Sequence, residues 1–140
     1  MASERILEIT MPIKVRTYDI DSAGHVSNIV YFRWLEDMRL ELLEQYFPLS
    51  TLVAMGVTPV IAASSIEYKR PIRLFDKPVG HMWLSRIGLA SMQFECEIYV
   101  QDELTTHAEH KGAFIDLETM RMRRVPDIVI QKFRQAQTER

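Results

Sequence analysis

The feature that most constrains this sequence is a change of period. Residues 28–47 carry Val30, Tyr31, Leu35, Met38, Leu42 and Tyr46 at three-to-four spacing, with Arg33, Asp37, Glu41 and Glu44 on the other side. That pattern specifies an amphipathic helix of about five turns. From there to residue 117 the chain reads as strand-like runs over 58–72, 79–89, 92–101 and 104–117. In the third run Phe94, Cys96, Ile98 and Val100 face one way and Gln93, Glu95, Glu97 and Tyr99 the other, the alternation of a half-buried strand. Tight turns between long strands imply antiparallel pairing. One helix with an apolar stripe must bury it on the sheet, so the expected class is α+β.

Before the helix, residues 8–18 alternate, with Ile9, Met11, Ile13 and Val15 on one parity, and read as a strand. Residues 19–27 cluster Asp, Ser and Gly into a loop, where Gly24 is free to take a positive φ. Ser27 or Asn28 can cap the helix and Pro48 marks its end. An irregular piece to Gly56 follows, and turns fall at 74–78, 88–91 and Asp102-Glu103. Residues 126–135 read as a closing short helix with Asp127 in its first turn.

With 140 residues the chain suits one domain, taken as 1–140, able to bury roughly 68% of its unfolded surface without a staple. Its 17 Lys and Arg against 19 Asp and Glu leave a net charge of −2. That provides no bulk field for nucleic acid or an acidic membrane surface, and neither is an expected partner. The cluster Arg121, Arg123, Arg124 reads as a solvated turn. Cys96 has no second cysteine to pair with, which fits a reducing, cytoplasmic compartment, and its apolar surroundings mark a buried hydrophobe rather than a nucleophile. The first residues carry Glu4, Arg5 and Glu8 and have no apolar core, so no signal peptide is expected. Residues 45–66 are uncharged but hold Pro48, Gly56 and Pro59, which argues against a spanning helix.

The chemistry concentrates in residues 18–28, directly before the long helix, where Asp19, Asp21, Gly24 and His25 share one loop. A helix start offers unpaired N–H groups and favours negative charge. Backbone donors there can hold a developing oxyanion while a nearby carboxylate activates water or attacks directly. A loop whose aspartates merely cap turns has the same composition. His81, His107 and His110 lie in strand-like runs without metal-ligand spacing, so no metal site is expected, and His107 and His110 point to opposite faces. Glu36 and Arg39 read as a helix ion pair worth about 0.5 kcal/mol or less.

The run Tyr18, Asp19, Asp21, Gly24, His25, Val26, Asn28, Tyr31, Phe32, followed by Glu36 and Arg39, resembles the signature of the 4-hydroxybenzoyl-CoA thioesterase-like branch of the hot-dog superfamily. The stretch Ile66, Glu67, Tyr68, Lys69, Arg70, Pro71, with Asp76 beyond, is similar to that family's second-strand signature. The resemblance implies a hot-dog fold, an antiparallel sheet around one long helix, and hydrolysis of an acyl thioester carried by coenzyme A or acyl carrier protein. By position, Asp21 is the catalytic carboxylate, as base or nucleophile, and the Asn28 backbone N–H polarises the thioester carbonyl. Ser27 stands where relatives carry Asn.

Gly24 and His25 shape the turn that meets substrate, with Asp19 and His25 holding the loop. Thr58, Pro59 and Val60 match a segment that lines the acyl pocket in relatives, and Lys69 and Arg70 read either as a grip on the phosphates of coenzyme A or as a solvated strand end. Ser91 matches a serine that many relatives precede with Lys or Arg, where Ala90 stands here. The resemblance implies no cofactor, and a homodimer or homotetramer, because a lone protomer exposes a sheet edge and half a pocket. Two rivals share the fold. A hydratase or dehydratase would need a histidine with an acidic partner, and the dehydratases' stretch from His to Phe-Pro-Gly is absent here. A non-catalytic acyl-thioester sensor would bind without turnover.

Overall fold

A computed structural model describes residues 5–139; Glu4 and the outermost residues of the expected domain lie outside them. The elements are strand β1 (Ile9–Pro12), helix α1 (Asn28–Tyr46), helix α2 (Leu49–Ala54), β2 (Val57–Tyr68), β3 (Val79–Ile87), β4 (Ser91–Val100), β5 (Glu103–Asp116), the short β6 (Met122–Arg123) and helix α3 (Asp127–Thr138). One antiparallel sheet runs in the order β1-β3-β4-β5-β2, with β6 against β5. The α+β class and the antiparallel sheet with one long helix match the expectation.

Alternation decides the two faces of the sheet. Met82 and Leu84 of β3, Phe94, Cys96 and Ile98 of β4, and Ala108 and Phe114 of β5 are fully buried. They form one core with Leu35, Met38 and Leu42 of α1. Gly80 permits the closest approach, since a Cβ there would run into Met38 Sδ. Cys96 Sγ lies 3.7 Å from Met38 Sδ. Burial, and then the charge of Glu97, push its thiol up to about 12, so it stays protonated and packs as a small hydrophobe.

The structure departs from the sequence reading at several ends. The first strand stops at Pro12 rather than running to 18. Ile13 still donates from its N–H to Pro78 O at 2.9 Å, after which a 3-10 turn covers Thr17–Asp19. The stretch after Pro48 is a helix, α2, whose Leu52 is fully buried, because proline suits a helix start even as it ends the helix before it. Strand β2 ends at Tyr68, where the backbone N–H groups of Lys69 and Arg70 both turn onto Thr105 O. The β4–β5 turn sits on Gln101 (φ 50°) and Asp102 (φ 64°), the pair of positive φ values that a two-residue hairpin loop requires. Helix α3 runs three residues past the expected end, burying Val129 and Phe133. No helix among the described residues is long and apolar enough to cross a membrane.

Candidate active site

The loop before α1 is a small closed turn. Ile20 and Val26 form an isolated antiparallel bridge. The Asp21 N–H donates to His25 O at 2.9 Å, and the Gly24 N–H donates to Asp21 O at 3.0 Å. Gly24 adopts φ +79°, with nothing within 4 Å of where a Cβ would stand. Its need for glycine is therefore conformational alone. Gly24→Ala is expected to cost about 1–2 kcal/mol of stability, read as a lowered Tm.

Asp21 is exposed at the tip. Its Oδ1 accepts from the Ala23 N–H at 2.9 Å and the His25 N–H at 3.3 Å. Those bonds orient the carboxylate and leave Oδ2 for chemistry. Asp19 is buried, its Oδ2 accepting from the Arg16 N–H at 2.8 Å and its carbonyl accepting from the Ser27 N–H at 2.8 Å. It fastens the loop to the helix start. The Val26 N–H, bonded to Ile72 O at 2.8 Å, ties the same turn to the segment after β2. Ser27 is the N-cap residue and makes no side-chain capping bond, so Asn28 is the first helical residue. Its N–H belongs to the first-turn amides that have no partner within a helix.

Tyr68, which the sequence marked only as part of the second-strand signature, completes this end of the molecule. Its hydroxyl donates to Asn28 O at 3.3 Å, and its ring stacks edge-on against Tyr31 with centroids 4.9 Å apart. Lys69 and Arg70 follow directly, exposed and each beside a carboxylate: Lys69 Nζ lies 3.4 Å from Glu67, and Arg70 Nε lies 2.8 Å from Glu103.

The remaining candidates lie elsewhere. Val60 pairs with Ala113, and Ala113 pairs with Ser91, so Thr58, Pro59, Val60 and Ser91 share the far end of the sheet. The ten residues from Thr58 to Tyr68 put that end roughly 33 Å from the Asn28 end. Arg86 and Lys111 flank Ser91 around a cleft of about 180 Å³. Strand pairing thus supplies cations where Ala90 does not. A groove of about 350 Å³ beside β1, lined by Lys14, Arg16, Asp19, Arg33, Trp34 and Asp37, contains neither Asp21 nor Asn28.

Two side-chain groups depend on strand pairing and so escape sequence spacing. Arg39 does pair with Glu36, yet its side chain is 10% exposed against 50% for Glu36, so this is not a solvated surface pair. His110 beside it is buried, and that burial, then the Arg39 charge, lower its pKa. On the other face Glu95, directly opposite Glu109, joins His107 with ligand-type atoms all within 4.8 Å. Exposed acidic groups of this kind are common without an ion, and none of the chemistry below uses this one.

Comparison with known proteins agrees with the fold. A family model described as the thioesterase-like superfamily matches residues 15–133. The acyl-CoA thioester hydrolase YbgC of Escherichia coli O6:H1 is 27% identical over 126 residues, covering 89% of this chain and 94% of that protein. A hypothetical protein from Aquifex aeolicus, known by crystal structure, superposes with a TM-score of 0.82 at 25% identity, over 89% of this chain and 98% of that one. The DHNA-CoA thioesterase of Staphylococcus aureus shares the fold, with a TM-score of 0.82 at 19% identity, over 94% of this chain and 89% of that one. An antiparallel sheet on one long helix, with a carboxylate loop at the helix start, thus sits inside a family match over most of the length: the chain belongs to the thioesterase-like superfamily of hot-dog folds.

Proposed function

We propose that this protein hydrolyses acyl-CoA thioesters, with Asp21 as the catalytic carboxylate and the Asn28 N–H as the carbonyl-polarising donor. The observation that carries the reading is the free Oδ2 of Asp21, held by two backbone bonds beside the first turn of α1. An acyl carbonyl against the Asn28 amide gains from the helix dipole as its oxygen becomes negative. Asp21 then takes a proton from a water that attacks the carbonyl and expels the thiolate, or attacks the carbonyl itself, expelling the thiolate to give a mixed anhydride that water cleaves. The thiolate leaves as thiol on taking up a proton. A hydrolysis screen over acyl-CoA esters of graded length and aromaticity tests the reading; absence of turnover across the panel would favour a sensor that binds without reacting.

The same reading requires a second copy. Strand β2 closes one end of the sheet order, and its outer edge pairs with no other strand among the described residues. Two such edges meeting antiparallel about a two-fold near Ala63, midway between Thr58 and Tyr68, would set one copy's Thr58, Pro59 and Val60 beside the other's Tyr68 and Asn28. That removes the separation found within one protomer and assembles each of two equivalent acyl pockets from both chains. Sedimentation at micromolar concentration is expected to show a dimer or tetramer; a stable, active monomer would refute the shared pocket.

Since the Asn28 role belongs to the backbone, Asn28→Ala should retain most of the turnover. Asn28 follows the N-cap rather than occupying it, so the change should also cost little stability. A loss as large as that from removing the Asp21 carboxylate, in a folded variant, would show that the Asn28 side chain takes part.

A further inference from the structure

Helix α1 has two flanks. One, with Val30, Arg33, Trp34 and Asp37, borders the groove beside β1. The other carries Phe32, Glu36 and Leu40 at successive four-residue steps, all exposed, next to Tyr31, which packs on Tyr68 of β2. Beneath this second flank stand two polar side chains that the catalytic reading does not use. His110 is 4% exposed and Arg39 is 9% exposed. Both ring nitrogens of His110 and the Nε of Arg39 lack a hydrogen-bond partner among the described residues. The other buried polar side chains of the described residues, Asp19, Thr105 and Thr106, all have partners. Leaving a buried donor or acceptor unpaired is costly, and three such atoms together demand a reason. His110 pairs across the ladder with Phe94 on one side and with Ser64 of the edge strand on the other. On the Ser64 side, residues 62–65 are small and exposed within the protomer, at the edge where the proposed two-fold brings in the second copy.

The position suits the far end of an acyl group. Glu36 lies eight residues from Asn28, roughly 12 Å along the helix. Ser64 lies four residues from Tyr68, about 13 Å along β2. An extended chain of about ten bonds covers that distance. We propose that Arg39 and His110 form a specificity pocket for acyl groups bearing a neutral hydroxyl near the end remote from the thioester. This rests on the thioesterase reading above.

Charge selects the class of ligand. Glu36 already balances Arg39, and burial, then the Arg39 charge, disfavour the charged form of His110, so a carboxylate would gain little counter-charge. A neutral imidazole offers one donor and one acceptor, and Arg39 Nε offers one donor. A hydroxyl can accept from Arg39 Nε and bond one of the two ring nitrogens of His110; a methyl terminus would leave all three atoms unpaired. Sites built to bond a substrate hydroxyl discriminate strongly against the analogue that lacks it.

The test compares kcat/KM for decanoyl-CoA with that for its 8-hydroxy and 10-hydroxy counterparts in the parent, His110→Leu and Arg39→Met. The parent should favour a hydroxylated ester at least tenfold, and both variants should bring the ratio near one by gaining on the plain chain and losing on the hydroxylated one. The variants delete orphans instead of creating them, so an unchanged or raised Tm is expected. A parent ratio of one or below at both positions, or a preference that survives in both variants, would overturn the proposal. If the parent hydrolyses none of the esters, the thioesterase reading fails on its own account. Calorimetric Kd values for the same esters, in the parent and both variants, then decide the pocket by the same ratios.

Discussion

Replacing Asp21 with Asn is expected to remove most of the turnover while leaving the protein folded. The amide keeps the size of the side chain and an oxygen able to accept from Ala23 and His25, the two bonds that orient Asp21 now. What it loses is basicity and nucleophilicity. General base catalysis alone contributes about 10²–10⁴-fold, so kcat should fall by at least that order under either role of the carboxylate. Binding of an unreacted thioester should persist or tighten, because a charge facing the carbonyl is gone. Asp19→Asn is the control within the same loop. Asp19 is buried and bonded to the Arg16 N–H, so its change should lower Tm more than Asp21→Asn does and lower kcat less. Parent-like hydrolysis by both variants would dismiss the assignment.

The second large effect is expected far from either aspartate. Ala63 lies opposite Lys111 within the protomer, so Ala63→Glu gains an opposite-charge neighbour across the ladder. Across the proposed two-fold the new carboxylate would face its own copy, and like charges directly opposed destabilise a strand pair. The variant should sediment as a folded monomer at concentrations where the parent is a dimer. It would then lack the second copy's Thr58, Pro59 and Val60 at its Asn28 end, and a loss on the order of 10²-fold in kcat/KM is expected from the incomplete pocket. Activity should return as concentration drives reassociation, following mass action. A variant that is monomeric and fully active would show that each chain holds a complete site.

How far the sequence alone reached can be judged element by element. Helix α1 starts where its three-to-four spacing starts, and β4 alternates as written, because both patterns are local consequences of backbone period. The loop holding Asp19, Asp21, Gly24 and His25 was likewise readable, since turn chemistry and a following helix start are encoded by near neighbours. Helix α2 was missed because a proline that stops one helix gives the same signal as one that starts the next.

What lay beyond reach was every relation set by strand pairing. Register places Ser64 against His110 and Glu95 against Glu109, brings Arg86 and Lys111 to Ser91, and sends Thr58 to the opposite end from Tyr68. Arg39 reads as a surface cation in one dimension because its ion pair with Glu36 is local. Its burial is decided by β5, seventy residues on, whose inward face supplies His110. Hydrophobic period determined which residues of this protein face inward. Only the docking of α1 on a particular strand order decided which polar groups were carried in with them, because register is a property of pairs of strands and no single stretch of sequence contains it.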